Sequence, residues 1–414
     1  MRRRPLLGAL LLLLPLLTGC WNKMELEEGA YVLAVGIDEG KGSPYAVTVV
    51  IAKPSALAGE KNGGGDEPPV LTTTAEAPSL ASARAVLHGY VGRQVLFHHT
   101  MVFFLHEELV RTKGLPFLDE LLRFRQIRET AFLVVTREPA ADFLRALKPE
   151  LEKDPVRFIA QLTYHYRTSG TLPAASQIRA VASLLNVGYA QPVTYYAALV
   201  DEGSPAKKGS PDPRVGYAAG ELPRQGGIPV EMIGAAAFRQ SRMVGVLTGE
   251  ETRALLMLQN RFQSAYAAFR DPRQPGQYVT LHLRRGRPTR IVLERLGERP
   301  AIRAEVILEA EVVAMPSGVD YSEPGAQEEL ERAVAGQLEE TLQALIRKTQ
   351  EWRVDVVGFG RYAIARFPTV QAWESYSWPE RYPEAEVHTS VRVSLRRYGL
   401  TLSPTRASEE GSVQ

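Results

Sequence analysis

Cys20 is the only cysteine in the 414-residue chain, and it follows directly on an apolar run from Leu6 to Leu17. Together these two features limit how everything after them can fold. One cysteine allows no intramolecular disulfide, so each domain must be held by its own apolar core. The run itself cannot serve as a spanning helix, because crossing the hydrocarbon takes ~20 apolar residues and this stretch is broken by Gly8 and Pro15. Arg2, Arg3 and Arg4 precede it. A basic start, a short apolar run and small residues before a boundary are the pattern of a secretory signal. The sequence therefore predicts an exported chain, long enough for two or three domains. Its apolar content of 45% is ordinary for a globular protein, enough to fill those cores.

Leu17-Thr18-Gly19-Cys20 resembles the lipobox of bacterial lipoproteins. The resemblance implies cleavage before Cys20 and a diacylglyceryl thioether on its sulfur. A buried CH₂ contributes ~0.8 kcal/mol and a single chain holds only marginally, so the two chains of such a group are what stable anchoring needs. The expectation is a signal peptide over residues 1–19, a lipidation site at Cys20 and a mature chain on the outer leaflet of a cell membrane, with no later spanning run. The charges fit a neutral protein. Of 49 basic and 47 acidic residues, Arg2, Arg3 and Arg4 leave with the signal, giving 46 − 47 = −1. Such a balance argues against nucleic-acid binding and makes no case for a polybasic membrane patch.

The N-terminal region, residues 20–201, reads as α/β. AYVLAVGID (Ala30 to Asp38) and YAVTVVIA (Tyr45 to Ala52) suggest a strand hairpin. Lys53 to Pro69 is a loop by composition. Leu80, Ala83, Leu87 and Val91 have helical spacing. LFHHTMVFFLH (Leu96 to His106) reads as one buried strand, followed by a helix through Leu118 and Ile127 and a strand at Thr130 to Arg137. Pro139 stands at a helix start. A looser helical pattern follows from Asp154 to Asn186, then a strand at Val193 to Asp201. Residues 202–231, rich in glycine, proline and charge, read as a linker. Beyond it, residues 232–402 read as an α+β domain: a hairpin around Gln240-Ser241-Arg242, a helix with capping-box spacing at Thr248 and Glu251, and several strands alternating at period two. A long helix from Gln327 to Glu351 carries the stripe Leu330, Val334, Leu338, Leu342 and Leu345. The whole predicts a multi-domain α+β protein of mostly antiparallel sheets packed with helices, ending in a disordered tail at 403–414.

Signatures of catalysis are scarce. The sequence has no H-E-x-x-H, C-x-x-C, G-x-S-x-G or P-loop. Gly358-Phe359-Gly360 lacks the strand before and the helix after that a dinucleotide site requires, so it reads as a tight turn. His88, His98, His99 and His106 are close in sequence, but adjacent residues on a strand point to opposite faces, so structural histidines are expected there. Trp373 and Trp378, with Tyr376 and Tyr382, could stack on a partner and are expected instead to pack against the C-terminal sheet. No cofactor, no metal ligand and no enzymatic activity are expected.

Four stretches in order resemble one family, the Ger(x)C lipoproteins, the C subunits of spore nutrient germinant receptors. GCWNKMELEEGAYVLAVGID carries the lipid cysteine, Trp21, Glu25-Leu26 and the strand end Gly36-Ile37-Asp38. FHHTMVFFLHEELVRTKGLPFLDELLRFRQIRETAFLVVTR carries His99 and Arg128-Glu129. IGAAAFRQSRMVGVLTGEETRALLML is similar to the opening of the family's C-terminal domain. The last, from Asp355 to Leu400, holds Gly358-Phe359-Gly360, Trp373, Trp378 and Arg396-Arg397-Tyr398-Gly399. The resemblance implies a receptor with an A subunit, a permease-like B subunit and this lipoprotein, in the spore inner membrane. It also implies a small nutrient as stimulus, three α/β domains, and no agreed ligand site on this subunit, so Cys20 alone is assigned a role. Two rival readings stand beside it: the solute-binding lipoprotein of an importer, which would show two lobes of alternating strand–helix units, and a lipid-anchored cell-wall hydrolase, to which no residues are assigned.

Overall fold

The computed structural model describes residues 25, 28–53, 70–115, 117–148, 158, 161, 169–200 and 216–397. Strands β1 (Gly29–Glu39), β2 (Tyr45–Ala52) and β3 (Val70–Ala77) form an antiparallel meander. Helix α1 (Leu80–Val91) follows, capped by Ser79. Then come β4 (Gln94–Leu96), β5 (Val102–His106), α2 (Glu107–Thr112), α3 (Leu118–Arg123), β6 (Phe132–Thr136), α4 (Ala140–Ala146), α5 (Ile178–Val187) and β7 (Val193–Leu199). Strand β5 lies parallel to β1, β6 to β5 and β7 to β6. Such a parallel centre is covered by helices on both faces, which is why VFFL and FLVV are apolar at every position. Val35, Phe103, Leu105, Leu133 and Val135 point into one core with α1, α3 and α5. Ala34, Val102, Phe104 and Val134 point into the other, against Phe143 and Leu144 of α4.

The segment LFHHTMVFFLH is not one strand. It makes β4, a turn, and β5; Thr100 N donates to Phe97 O, and the Thr100 hydroxyl donates to Val32 O. Of the helical pattern predicted from Asp154, the described part is α5; residues 149–157, 159–160 and 162–168 lie outside the described residues.

The first sheet does not end at β7. Strands β8 (Val230–Arg239) and β9 (Arg242–Leu247) pair antiparallel onto it, giving nine strands in the order β3-β2-β1-β5-β6-β7-β8-β9, with β4 beside β1. The hairpin predicted to open the C-terminal half is thus the far edge of the first sheet. Ala235, Ala237 and Leu247 project into the second half's core with Leu255, Leu281 and Leu342.

Helix α6 (Gly249–Leu258) starts with the capping box that Thr248 and Glu251 predict. It leads to a four-stranded sheet of β10 (Ser264–Arg270), β11 (Tyr278–Arg295), β12 (Ala301–Ala314) and β13 (Glu386–Arg397). Strands β10 to β12 are antiparallel, and β13 runs parallel to β12. The crossover between them is α7 (Pro324–Glu351), α8 (Gly360–Ile364), α9 (Val370–Tyr376), α10 (Trp378–Arg381) and a 3₁₀ turn at Tyr382–Glu384. The α7 stripe Leu330, Val334, Leu338, Leu342 and Leu345 is buried against the sheet. Its polar side chains close both sheet edges. On β13, Glu331 and Glu339 accept from Leu395 N and Val391 N, each at 2.7 Å. Gln343 and Gln350 donate to Val387 O and Ala385 O, at 3.1 and 2.7 Å. On β10, the Gln337 amide accepts from Arg270 N and donates to Arg270 O, as a neighbouring strand would. Strand edges left open invite pairing with other chains; here one helix satisfies both.

Candidate functional site

Cys20, the one residue assigned a role from the sequence, lies outside the described residues. Of the motif residues that accompany it, Trp21, Leu26, Tyr398 and Gly399 also lie outside the described residues, and several of the others hold backbone in place. At the end of β1, a Cβ on Gly36 would meet Leu144 Cδ1 at 2.9 Å and Ala140 Cβ at 3.1 Å, so only glycine lets α4 lie this close. Two residues on, Asp38 accepts from Ala140 N at 2.6 Å and Ala141 N at 2.9 Å. These are free N–H groups of the first turn of α4, whose preceding residue is Pro139 with no side-chain oxygen to cap them. Burial pushes the Asp38 carboxyl up, against the pull of the two N–H groups and of His106, whose Nδ1 lies 4.0 Å away.

The C-terminal motif builds a second buried carboxylate centre. Asp355 is 1% exposed. Its Oδ1 accepts from Gly358 N at 2.7 Å, and its Oδ2 accepts from Gly360 N at 2.8 Å and from Trp378 Nε1 at 2.9 Å. Gly358 has φ +85°, the left-handed region. A Cβ on Gly360 would meet Tyr189 O at 2.4 Å and Trp378 Nε1 at 2.6 Å. The two glycines are thus required for different reasons. Burial pushes the Asp355 carboxyl up to about 6, against these donors. The backbone of Asp355 is tied in turn to the loop before β7. Gln191 N donates to Asp355 O at 3.0 Å, and Asp355 N donates to Gln191 Oε1 at 2.6 Å. Trp373, Trp378 and Tyr382 are buried around this centre, with Trp378 6.3 Å from Trp373 and 6.2 Å from Tyr382 between ring centroids. They are packing, as expected, and present no stacking platform. Gly358-Phe359-Gly360 is the expected tight turn, closed on Asp355.

The histidines are dispersed. His88 Nε2 accepts from Val95 N, His99 meets Tyr31 edge to face at 5.3 Å, and His98 is exposed beside it in the turn after β4. The turn, not strand alternation, separates His98 from His99. Among the described residues no three His, Cys, Asp or Glu side chains are placed to hold a metal ion. Arg128 and Glu129 are exposed on the turn before β6.

An open depression of about 590 Å³ is lined by Arg295, Glu298, Arg299, Arg381 and Glu384. Its charges face one another, Arg299 with Glu384 and Arg381 with Glu298, each at 3.9 Å. A cleft between α6, β10 and α7 holds about 30 Å³. That is room for a water molecule, far from the 300–1,000 Å³ of ordinary small-molecule sites. Here Arg253 is 9% exposed, and its Nε and the Glu250 Oε2 have no hydrogen-bond partner among the described residues.

Sequence reasoning missed two joints between the first sheet and the second half, Gln191 on Asp355 and Trp352 against Gly245, where a Cβ would meet Trp352 Cζ2 at 2.3 Å, and one tie within the second half, Lys348 of α7 on Glu251 of α6 at 2.7 Å. Each pairs residues far apart in sequence, and no local pattern announces them.

Comparison with known proteins places the chain in a family. Residues 22–199 match the family described as spore germination protein N-terminal domain, and residues 233–399 match spore germination B3/GerAC like, C-terminal. Spore germination protein KC of Bacillus subtilis (strain 168) is 26% identical over 98% of this chain and 98% of its own. Spore germination protein B3 of the same organism is 19% identical over 92% of this chain and 95% of its own. The crystal structure of the GerBC protein has the same fold, with a TM-score of 0.50 at 16% identity, covering 87% of this chain and 96% of that one. With both family domains matched in order over nearly the whole length, the chain belongs to the Ger(x)C family of spore germination proteins, the C subunits of germinant receptors.

Proposed function

We propose that the chain is the lipid-anchored C subunit of a nutrient germinant receptor, tethered by a diacylglyceryl group on Cys20 to the outer leaflet of the spore inner membrane. In this reading it scaffolds or couples the A and B subunits and contributes no catalytic step. Any small nutrient acts on the assembled receptor. The observation that carries the scaffold role is the use of the family motifs. Asp38 and Asp355, the buried carboxylates of those motifs, have their oxygens engaged by backbone N–H groups and by Trp378. Their geometry fixes elements relative to one another and leaves no open position for a reacting group. Tethering suits such a role, because two membrane-bound partners meet at a high effective concentration and a modest interface then suffices. Among the described residues no helix is long and apolar enough to cross a membrane, so the lipid supplies the attachment in this reading.

The test is dipicolinate release from spores across a nutrient panel, with a non-nutrient trigger as control. Deletion of the gene is expected to abolish at least one nutrient response and leave the control intact. Cys20→Ala is expected to weaken the same response while the protein keeps its native circular dichroism. Full nutrient response from an unlipidated, released protein would remove the tethering role.

A further inference from the structure

The four-stranded sheet has one face on α7 and the other in solvent, and the solvent face carries an unbalanced charge. In an unbroken strand, residues 284, 287 and 290 would point out, in and out, since successive side chains alternate. Strand β11 is not unbroken. Its register against β12 shifts between Arg285 and Arg287 and again between Arg287 and Arg290. As a result Arg284 lies opposite Glu309, Arg287 opposite Ile307 and Arg290 opposite Glu305. Directly opposed residues share a face. Those three β12 residues are partly exposed and alternate with buried Val306 and Leu308, so all three arginines stand on the outer face. Bulges of this kind re-aim side chains, and Pro288 within the stretch is tolerated at such a bulge.

The opposing carboxylates are already engaged from the other side. Glu305 pairs with Arg392 and Glu309 with Arg396, each at 3.2 Å. With Glu311 opposite His282 on the same face, five arginines face three glutamates, an excess of two positive charges. The surroundings are amphipathic. Tyr266, 60% exposed, stacks on His282 at 4.4 Å, and His282 Nδ1 lies 3.4 Å from the Arg284 guanidinium. Val292 and Val313 are exposed as well, with Val292 opposite outward-facing Arg303.

We propose that this outer sheet face docks on an anionic phospholipid surface, with Arg284, Arg287 and Arg290 on the phosphates and Tyr266, Val292 and Val313 at the headgroup level. Tyrosine is at home at that depth, and arginine pairs readily with phosphate. Exposed valines beside the arginines favour a bilayer over a nucleic acid or a wholly polar partner. The proposal deepens the membrane placement above; the experiment removes the lipid, so that the two readings fail separately.

The chain from residue 20 with Cys20→Ser is sedimented with vesicles of phosphatidylcholine alone and with one-third phosphatidylglycerol. Binding is expected only to the anionic vesicles and is expected to fall with salt. At ~1 kcal/mol per arginine near such a surface, the triple variant Arg284→Ser/Arg287→Ser/Arg290→Ser should lose on the order of a hundred-fold in partitioning. The matching triple to lysine should retain most of it, which separates charge from fold. A control removing the same charge elsewhere, Arg123→Ser/Arg145→Ser/Arg332→Ser, should bind as the parent does. The proposal is overturned by equal binding to neutral vesicles, by an equal loss in the control, or by binding to duplex DNA without binding to vesicles.

Discussion

Asp355 sets two effects against each other: three donors favour its carboxylate, while a fully buried position disfavours any charge. Burial prevails, and its carboxyl is pushed up to about 6 from an ordinary 3.8. The sign follows from linkage. Between about pH 4 and pH 6 the folded protein holds a proton that the unfolded chain has released, so stability falls as pH rises through that window. A window about two pH units wide corresponds to roughly 3 kcal/mol. We expect the stability difference between the parent and Asp355→Asn, from urea unfolding at pH 4.5 and pH 7, to shrink by that order as pH rises. A difference independent of pH would mean that the donors, not burial, govern the group. Gly36 makes a purely steric prediction at the same scale. Gly36→Val forces α4 off β1 and should cost about 1–3 kcal/mol, read as a lower urea midpoint, because Leu144 and Ala140 already fill the space a side chain needs.

Helix α7 is legible in its residues alone, since its apolar stripe repeats every three or four positions along its length and the sheet buries every member. Its polar face is not. Gln327, Glu331, Glu339, Gln343 and Gln350 look like an ordinary solvated flank, yet three of the five bond β13 backbone at 3.1 Å or less, Gln327 donates to Leu395 O at 3.2 Å, and Gln350 donates to Ala385 O just before β13. A glutamine that completes a strand edge has no sequence signature, because its partner is backbone. The same limit explains β11, where alternation marks two strands and the structure has one, bulged through Arg285 to Arg290. It also explains the split of β4 from β5, decided by a threonine hydroxyl reaching Val32 O. Net charge misleads in a related way: a balance near zero conceals three arginines gathered on one face by bulges. For α7, Leu342→Ala removes a fully buried side chain from the stripe and should cost about 2–5 kcal/mol. Glu339→Ala/Gln343→Ala should cost less in stability but open the β13 edge. The double variant is expected to aggregate on mild heating at a midpoint where Leu342→Ala, matched for stability, stays soluble; equal aggregation of both would mean that lost stability alone is responsible.

At the scale of the molecule, the motifs the family shares are spent on joining parts. The far edge of the nine-stranded sheet supplies one wall of the core that α7 closes, through Ala235, Ala237 and Leu247. Across that wall Trp352 lies on Gly245, and the Asp355 backbone bonds Gln191, accepting from its N–H and donating to its side-chain Oε1. A subunit that transmits a signal between membrane partners needs this kind of connection, since a flexible joint would absorb a displacement instead of passing it on. If the connection holds, both halves unfold together. Far-UV circular dichroism reports every helix and strand, whereas three of the four tryptophans, Trp352, Trp373 and Trp378, lie beyond the joint. In the parent the two signals should trace one urea transition with one midpoint. Gly245→Val places two methyl groups where Trp352 packs, and Gln191→Ala removes the side-chain acceptor of Asp355 N. With both changes the tryptophan transition should move to lower urea while part of the circular dichroism change stays behind, carried by the sheet of β1, β5 and β6. Separate transitions already in the parent would show two independent bodies and remove the mechanical basis for a coupling role. Coincident transitions in the double variant would place the connection elsewhere, with the apolar wall of Ala235, Ala237 and Leu247 as the remaining contact to break.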